Sequence, residues 1–161
     1  MKYFTKEWCF SEIEDDEIEN RLRLYNDYIN GIYSKIPFTL KLLTRHINFH
    51  DGKIRNIAFS EPEQSLKLSG IFGDKQSGYF FLELNYLTTK RFDINNLLGS
   101  CDKEIEILSD ELEALDDGAF SHKILLSTGE SIDILFLNVS IKLKDATPRD
   151  YTAPQTDKII W

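Results

Sequence analysis

The sequence predicts an α+β fold in which one N-terminal amphipathic helix packs on a mainly antiparallel sheet of about six strands. Three observations carry this. Apolar residues recur at Ile18, Leu22, Tyr25, Ile29, Ile32 and Ile36, a spacing of four and three that lays one stripe along a helix. Downstream the period drops to two, with Phe80, Leu82, Leu84 and Tyr86 on one face and Glu83 and Asn85 opposite. The alternating runs are separated by short turns such as Asp51-Gly52, Gly73–Gly78 and Asp116-Asp117-Gly118. These are too short for the crossovers that parallel pairing needs.

In order along the chain, Met1–Phe10 carries Tyr3, Phe4, Trp8 and Phe10, too many aromatics for a solvated tail, and is expected to dock. Ser11 reads as a helix N-cap with Glu14 as its capping-box partner, and the acids from Glu12 to Glu17 suit the positive end of the helix dipole. The helix is expected over about Glu12–Lys35 and ends at Ile36-Pro37, because the residue before proline is pushed out of the helical region. Phe38–Phe49 fits two readings: Leu40, Leu43 and Ile47 suit a second helix, whereas Ile47 and Phe49 suit the start of a strand. Strands follow at Lys53–Phe59, at Leu66–Phe72 with Gly70 in place of a large residue, and at Tyr79–Thr88. Ile94–Gly99 reads as a helical turn. Glu104–Leu108 and Glu111–Leu115 read as two short acidic strands or one bent one.

The last hydrophobic pair, Phe120–Leu126 and Ile132–Leu143, is a hairpin across Ser127–Glu130 and the best nucleus for the sheet. Its second run changes phase. Ile132, Ile134 and Phe136 share one face, and Leu137, Val139, Ile141 and Leu143 the other. A bulge near Phe136–Asn138 accounts for this, as does a central strand covered on both faces. Residues 1–144 are expected to form a single domain, with residues 145–161 as a C-terminal tail. That tail ends Ile159-Ile160-Trp161, and docked and free readings both stand.

A 161-residue chain can bury roughly 70% of its unfolded surface, so it needs no metal or disulfide to fold. It holds no apolar stretch near the ~20 residues that span a bilayer, and its N-terminus has no signal core followed by a cleavage site. A cytoplasmic location is expected, with Cys9 and Cys101 as free thiols. The net charge of −8 is uneven. Glu12–Glu19 holds six acids and no base, and Asp102–Asp117 eight acids and one base, together −13, which leaves the rest of the chain at +5. That balance argues against nucleic acid as a partner and gives no basis for a membrane surface. It suits a basic protein partner, although a charge run is ordinarily no more than a solvated face.

Chemistry-bearing motifs are few. His46 and His50 are four apart with Asp51 adjacent, the spacing of a metal pair on a helix, but Asp51-Gly52 breaks any helix there. His122 shares a predicted strand face with Phe120 and Ile124, as a hydrogen-bonded core histidine would. Acids around Cys101 would raise its thiol pKa rather than activate it. There is no phosphate loop, dinucleotide fingerprint or nucleophile elbow. An enzyme is not expected, nor is a metal or cofactor. The competing readings are a small enzyme or metal-dependent protein using His46, His50 and Asp51, and a plain ligand-binding or scaffold domain.

Two stretches carry a resemblance. The opening Met1-Lys2-Tyr3-Phe4-Thr5-Lys6-Glu7-Trp8 resembles an uncharacterised family of small bacterial cytosolic proteins that begin in this way. Phe49-His50-Asp51-Gly52-Lys53-Ile54, with the later Leu126-Ser127-Thr128-Gly129-Glu130, is similar to the sheet portion of those chains. No activity or site residue follows from that family. In general type the chain also resembles immunity proteins of bacterial toxin systems, including contact-dependent growth inhibition. That likeness implies a protein that neutralises a toxin domain, such as a basic nuclease, by covering it. On this reading the partner-binding residues are Asp15, Asp16, Glu17, Asp110, Glu111, Glu113, Asp116 and Asp117.

Overall fold

The computed structural model describes residues 1–10, 13–89, 91–93 and 104–153. The helices are α1 (Lys6–Cys9), α2 (Asp15–Ile32), α3 (Phe38–Arg45) and α4 (Pro148–Thr152). The strands are β1 (Lys53–Ser60), β2 (Ser65–Asp74), β3 (Gly78–Leu87), β4 (Arg91–Asp93), β5 (Ile105–Ala114), β6 (Phe120–Leu126), β7 (Ser131–Phe136) and β8 (Asn138–Ala146). They form one antiparallel sheet in the order β4-β7-β6-β5-β1-β2-β3-β8. The class is α+β as expected, but the strand count exceeds six.

The excess has a physical cause. Two extended runs break at one corner: β3 gives way to β4 after Leu87, and β7 to β8 at Leu137, whose N–H donates to the Leu87 carbonyl at 3.2 Å. Since β3 pairs with β8 and β4 with β7, the same two runs stay paired around the bend. The bend joins the two ends of the sheet, so the sheet rolls around its core. Tyr86 of β3 thereby meets Phe136 of β7 across the interior, ring centres 5.0 Å apart. The phase change in Ile132–Leu143 is this corner. Ile132, Ile134 and Phe136 are buried, Leu137 is turned outward, and Val139 returns to the core. The extra residue expected of a bulge is there, but it separates two strands. Leu143, expected inside, is 57% exposed near the far end of β8.

Strand β8 runs to Ala146, two residues into the stretch expected as a tail, and pairs there with Tyr79. Thr147-Pro148-Arg149-Asp150 then opens α4 with a capping box. Asp150 N–H donates to Thr147 Oγ1, Thr147 N–H to Asp150 Oδ2, and proline takes the first helical turn where no N–H is needed. Tyr151 holds α4 on the body: its hydroxyl donates to the Asp51 carbonyl at 2.9 Å and its ring packs on Tyr79 at 4.7 Å. Residues Ile159–Trp161 and Ile94–Gly99 lie outside the described residues.

Helix α2 starts at Asp15, with Glu14 as an N-cap that makes no side-chain capping bond, and stops at Ile32. It is shorter than expected at both ends, and Ser11 lies outside the described residues. The segment after Pro37 is helical, with Leu40 and Leu43 of α3 in the core. The stripe on α2 is narrower than its spacing suggested. Ile29 is buried, Ile18, Tyr25 and Ile32 are half-buried, and Leu22 is 40% exposed. The helix is fastened to the edge of β5 instead of lying flat on the sheet. β1 pairs with β5 at Lys53–Ile54, the preceding turn carries the backbone bonding on through Gly52 and Asp51 to Ile107, and past Ile107 that edge of β5 has no strand neighbour among the described residues. Tyr25 Oη accepts the Leu112 N–H and Tyr28 Oη the Ala114 N–H, each at 2.8 Å. Two donors that no strand satisfies are thus capped by helix tyrosines. Where β1 crosses β2, Gly70 is required: a Cβ there would stand 2.3 Å from the Lys53 carbonyl oxygen.

Candidate functional site

The eight acids singled out in the sequence separate into different environments. Asp15 and Asp16 are exposed in the first turn of α2, beside the unsatisfied N–H groups that favour negative charge. Glu17 is paired with Arg21 one turn on, 2.8 Å away. That hydrogen bond holds its carboxyl below the usual value, with desolvation opposing it. Arg21 in turn donates to Thr5 Oγ1 at 3.1 Å, which ties α2 to the N-terminal segment. The outward face of α2 continues through the exposed Glu19 and Asp27. Its flanks carry Leu22 and Leu24, the latter 45% exposed and ~200° further round the helix.

On β5 the acids alternate inward and outward. Glu111 is only 4% exposed, and its carboxylate accepts three backbone N–H groups: Lys2 at 2.8 Å, Tyr3 at 2.5 Å and Phe4 at 2.6 Å. It is the anchor of the N-terminal segment and is buried beneath it, out of a partner's reach. Phe4, so placed, packs against Trp8 and Tyr25 at 4.8 and 4.9 Å, which is how the aromatic opening docks. Glu113 pairs with Lys123 at 3.0 Å. Asp116 is exposed, and Asp117 Oδ1 accepts the Ala119 N–H within its turn. Because Tyr25 reaches Leu112 and Tyr28 reaches Ala114, α2 runs in the same direction as β5. Asp16 therefore lies roughly 25 Å along that direction from Asp116, at 1.5 Å per helical and 3.3 Å per strand residue. The Asp116-Asp117 end of the second acidic segment is therefore far from the acidic start of α2.

Asp110 turns inward and completes a buried polar chain. Its Oδ2 accepts the Nε2–H of His122 at 3.1 Å, which leaves Nδ1 to accept the hydroxyl of Tyr86 at 2.6 Å. His122 is 1% exposed, and Phe49 meets its ring edge-on at 5.2 Å. The chain links β3, β6 and β5 across the core. The alternation of β6 had placed His122 inward, but its partners are remote in sequence. Burial, and then the charge on Asp110, hold the Tyr86 phenol well above its ordinary value of 10.0. Its folded value is raised, so its contribution to stability is intact below the unfolded value of about 10 and is lost as pH rises through the folded one. Stability of the wild type should therefore fall above about pH 10, and Tyr86→Phe should flatten that fall. Chemical unfolding at pH 8 and pH 11 would measure the difference, and equal slopes would refute the assignment.

The histidine pair does not assemble as a metal pair on a helix. His46 is the exposed residue that ends α3, and His50 lies beyond it in a turn, its Nδ1 3.1 Å from Asp51 Oδ2. Among the described residues no group of three His, Cys, Asp or Glu side chains is placed to hold a metal ion. Cys9 is a free thiol, pushed up by burial, with Sγ 3.3 Å from Ser109 Oγ. Cys101 lies outside the described residues. No described helix is long and apolar enough to cross a membrane. An open hollow of about 420 Å³ lies beside α4, between Asp51, Asp74, Lys75, Gln76, Tyr79 and Tyr151.

No family model and no curated protein matches the chain. Among solved structures it is similar to an uncharacterized protein from Neisseria gonorrhoeae, at 21% identity over 59% of this chain and 93% of that one, with a TM-score of 0.38. A likeness of that degree carries no argument about fold or function.

Proposed function

We propose that the chain is a cytoplasmic immunity protein that binds a basic bacterial toxin domain through the outward face of α2. The observation that supports this most is the composition of that face. Asp15, Asp16 and Glu19 stand exposed there with Arg23 among them, and Leu22 and Leu24, two large apolar side chains left open to solvent, lie on the opposite flanks. Acids of this kind steer a basic partner over long range, and desolvated apolar anchors slow its release. Glu111 drops out of the binding surface and Asp110 serves the core, so neither belongs in the test.

The opening test is whether a neighbouring gene encodes a toxin domain, and a neighbourhood without one would count against the reading; two further arms use that domain. In the first, Asp15→Lys, Asp16→Lys and Glu19→Lys together should slow association by about tenfold or more at low salt. The difference should shrink as the Debye length falls to about 8 Å at physiological ionic strength. In the second, Leu22→Ala with Leu24→Ala should speed dissociation with little change in association rate. Co-expression should rescue growth with the wild type and fail with the combined variant. Absence of rescue by the wild type would sink the immunity reading. Rescue together with unchanged association of the reversed variant would move the interface away from α2.

A further inference from the structure

We propose that the free edge of β8 is a docking edge for an extended acidic segment of a partner protein, which adds to the sheet as a further strand. β8 ends the strand order and, among the described residues, has β3 as its one strand neighbour, with helix α3 also packed against it. The direction of its backbone groups follows from register. The tight turn pairs Asp74 with Gly78 and sets the phase of β3, whose odd-numbered residues bond to β8. Even-numbered residues of β8 therefore bond to β3, and the N–H and C=O groups of Val139, Ile141, Leu143 and Asp145 point the other way. Val139 agrees, since its N–H is taken by Asn138 Oδ1 at 3.0 Å. The free edge of β5 has helix tyrosines over its donors, whereas Leu143 on the β8 edge stands open and is flanked by the exposed Lys142 and Lys144.

Charge selects the occupant. On the outer face of β2, β3 and β8, Lys67 and Lys142 flank the buried Glu83, which lies 2.9 Å from Lys142 Nζ and 3.6 Å from Lys67 Nζ, and Lys144 lies within electrostatic reach of Asp150 of α4. Three ammonium groups against two carboxylates leave that face positive by one charge. A second copy of β8 would set its own Lys142 and Lys144 beside these, and like charges directly across a strand pair are destabilising. A strand carrying Asp or Glu on the outer face meets the lysines. Its alternate apolar residues fall beside Ile141 and Leu143. The inference stands independently of the reading of α2, which involves other residues and the opposite charge.

The probe is a synthetic peptide of about ten residues alternating Glu and Val, compared with its Lys and Val counterpart. Amide exchange by NMR reads the edge directly. The acidic peptide should slow exchange of the Ile141 and Leu143 amides by about tenfold, as new strand bonds form, and the lysine peptide should bind at least about tenfold more weakly. Leu143→Pro removes an N–H that faces away from β3, a position where an edge strand tolerates proline, and should abolish binding. Lys144→Glu should narrow or reverse the peptide preference. An acidic peptide N-methylated at alternate residues, which cannot bond along one edge, should also fail to bind and tests the same bonds without altering the protein. Absence of slowing at residues 141 and 143, equal affinity for the two peptides, or full affinity of the N-methylated peptide would overturn the proposal. So would a homodimer that Leu143→Pro dissociates, because a second copy would then be the occupant.

Discussion

Glu111→Ala should lower stability by about 3–5 kcal/mol and release the N-terminal segment. One carboxylate accepts the backbone N–H groups of Lys2, Tyr3 and Phe4 at 2.5–2.8 Å and is 4% exposed. Hydrogen bonds to a charged acceptor each contribute about 1.5–3 kcal/mol, offset here because donors so close to the chain end regain water once the segment lifts. In a chain of 161 residues that loss corresponds to a midpoint roughly 8–15 °C lower. Glu111→Gln keeps one acceptor oxygen but turns an amide N–H₂ toward the donors, so it should lose much of the same stability. Amide exchange at residues 2–4 should accelerate in both variants. A loss under about 1 kcal/mol with the segment still protected would mean that the aromatic contacts of Phe4 and Tyr3 hold it without the carboxylate.

His122→Leu should be comparably damaging, at about 3–5 kcal/mol, although it places an apolar side chain of similar size in an apolar core. The cost arises from what the imidazole leaves behind. The Tyr86 hydroxyl and the Asp110 carboxylate both lose their partner, one of them fully buried. Tyr86→Phe alone should cost about 1–2 kcal/mol. Adding it to His122→Leu should cost less than the sum, because the second substitution removes a group the first has orphaned. Urea unfolding of the four proteins gives the coupling. Strict additivity would mean that the 2.6 Å contact contributes nothing of its own.

Local sequence determined the elements. The spacing of Ile18 to Ile32 made a helix, the alternation of Phe80 to Tyr86 made an inward strand face, and Thr147-Pro148-Arg149-Asp150 carried a full helix start within four residues. That helix start is legible in the residues themselves, although the lack of period after Asp145 suggests a tail. The charge asymmetry was also fixed by sequence, since it needs only counting. The tertiary structure decided the roles of side chains whose partners are distant. Glu111 became an anchor because residues 2–4 return to it across more than a hundred positions, and His122 acquired meaning only when β3 and β5 brought Tyr86 and Asp110 to its two nitrogens. It also decided which edges of the sheet are covered. Strand periodicity reports which face a residue occupies and is silent on what lies beside the backbone, so nothing in the sequence distinguished the tyrosine-capped edge of β5 from the open edge of β8.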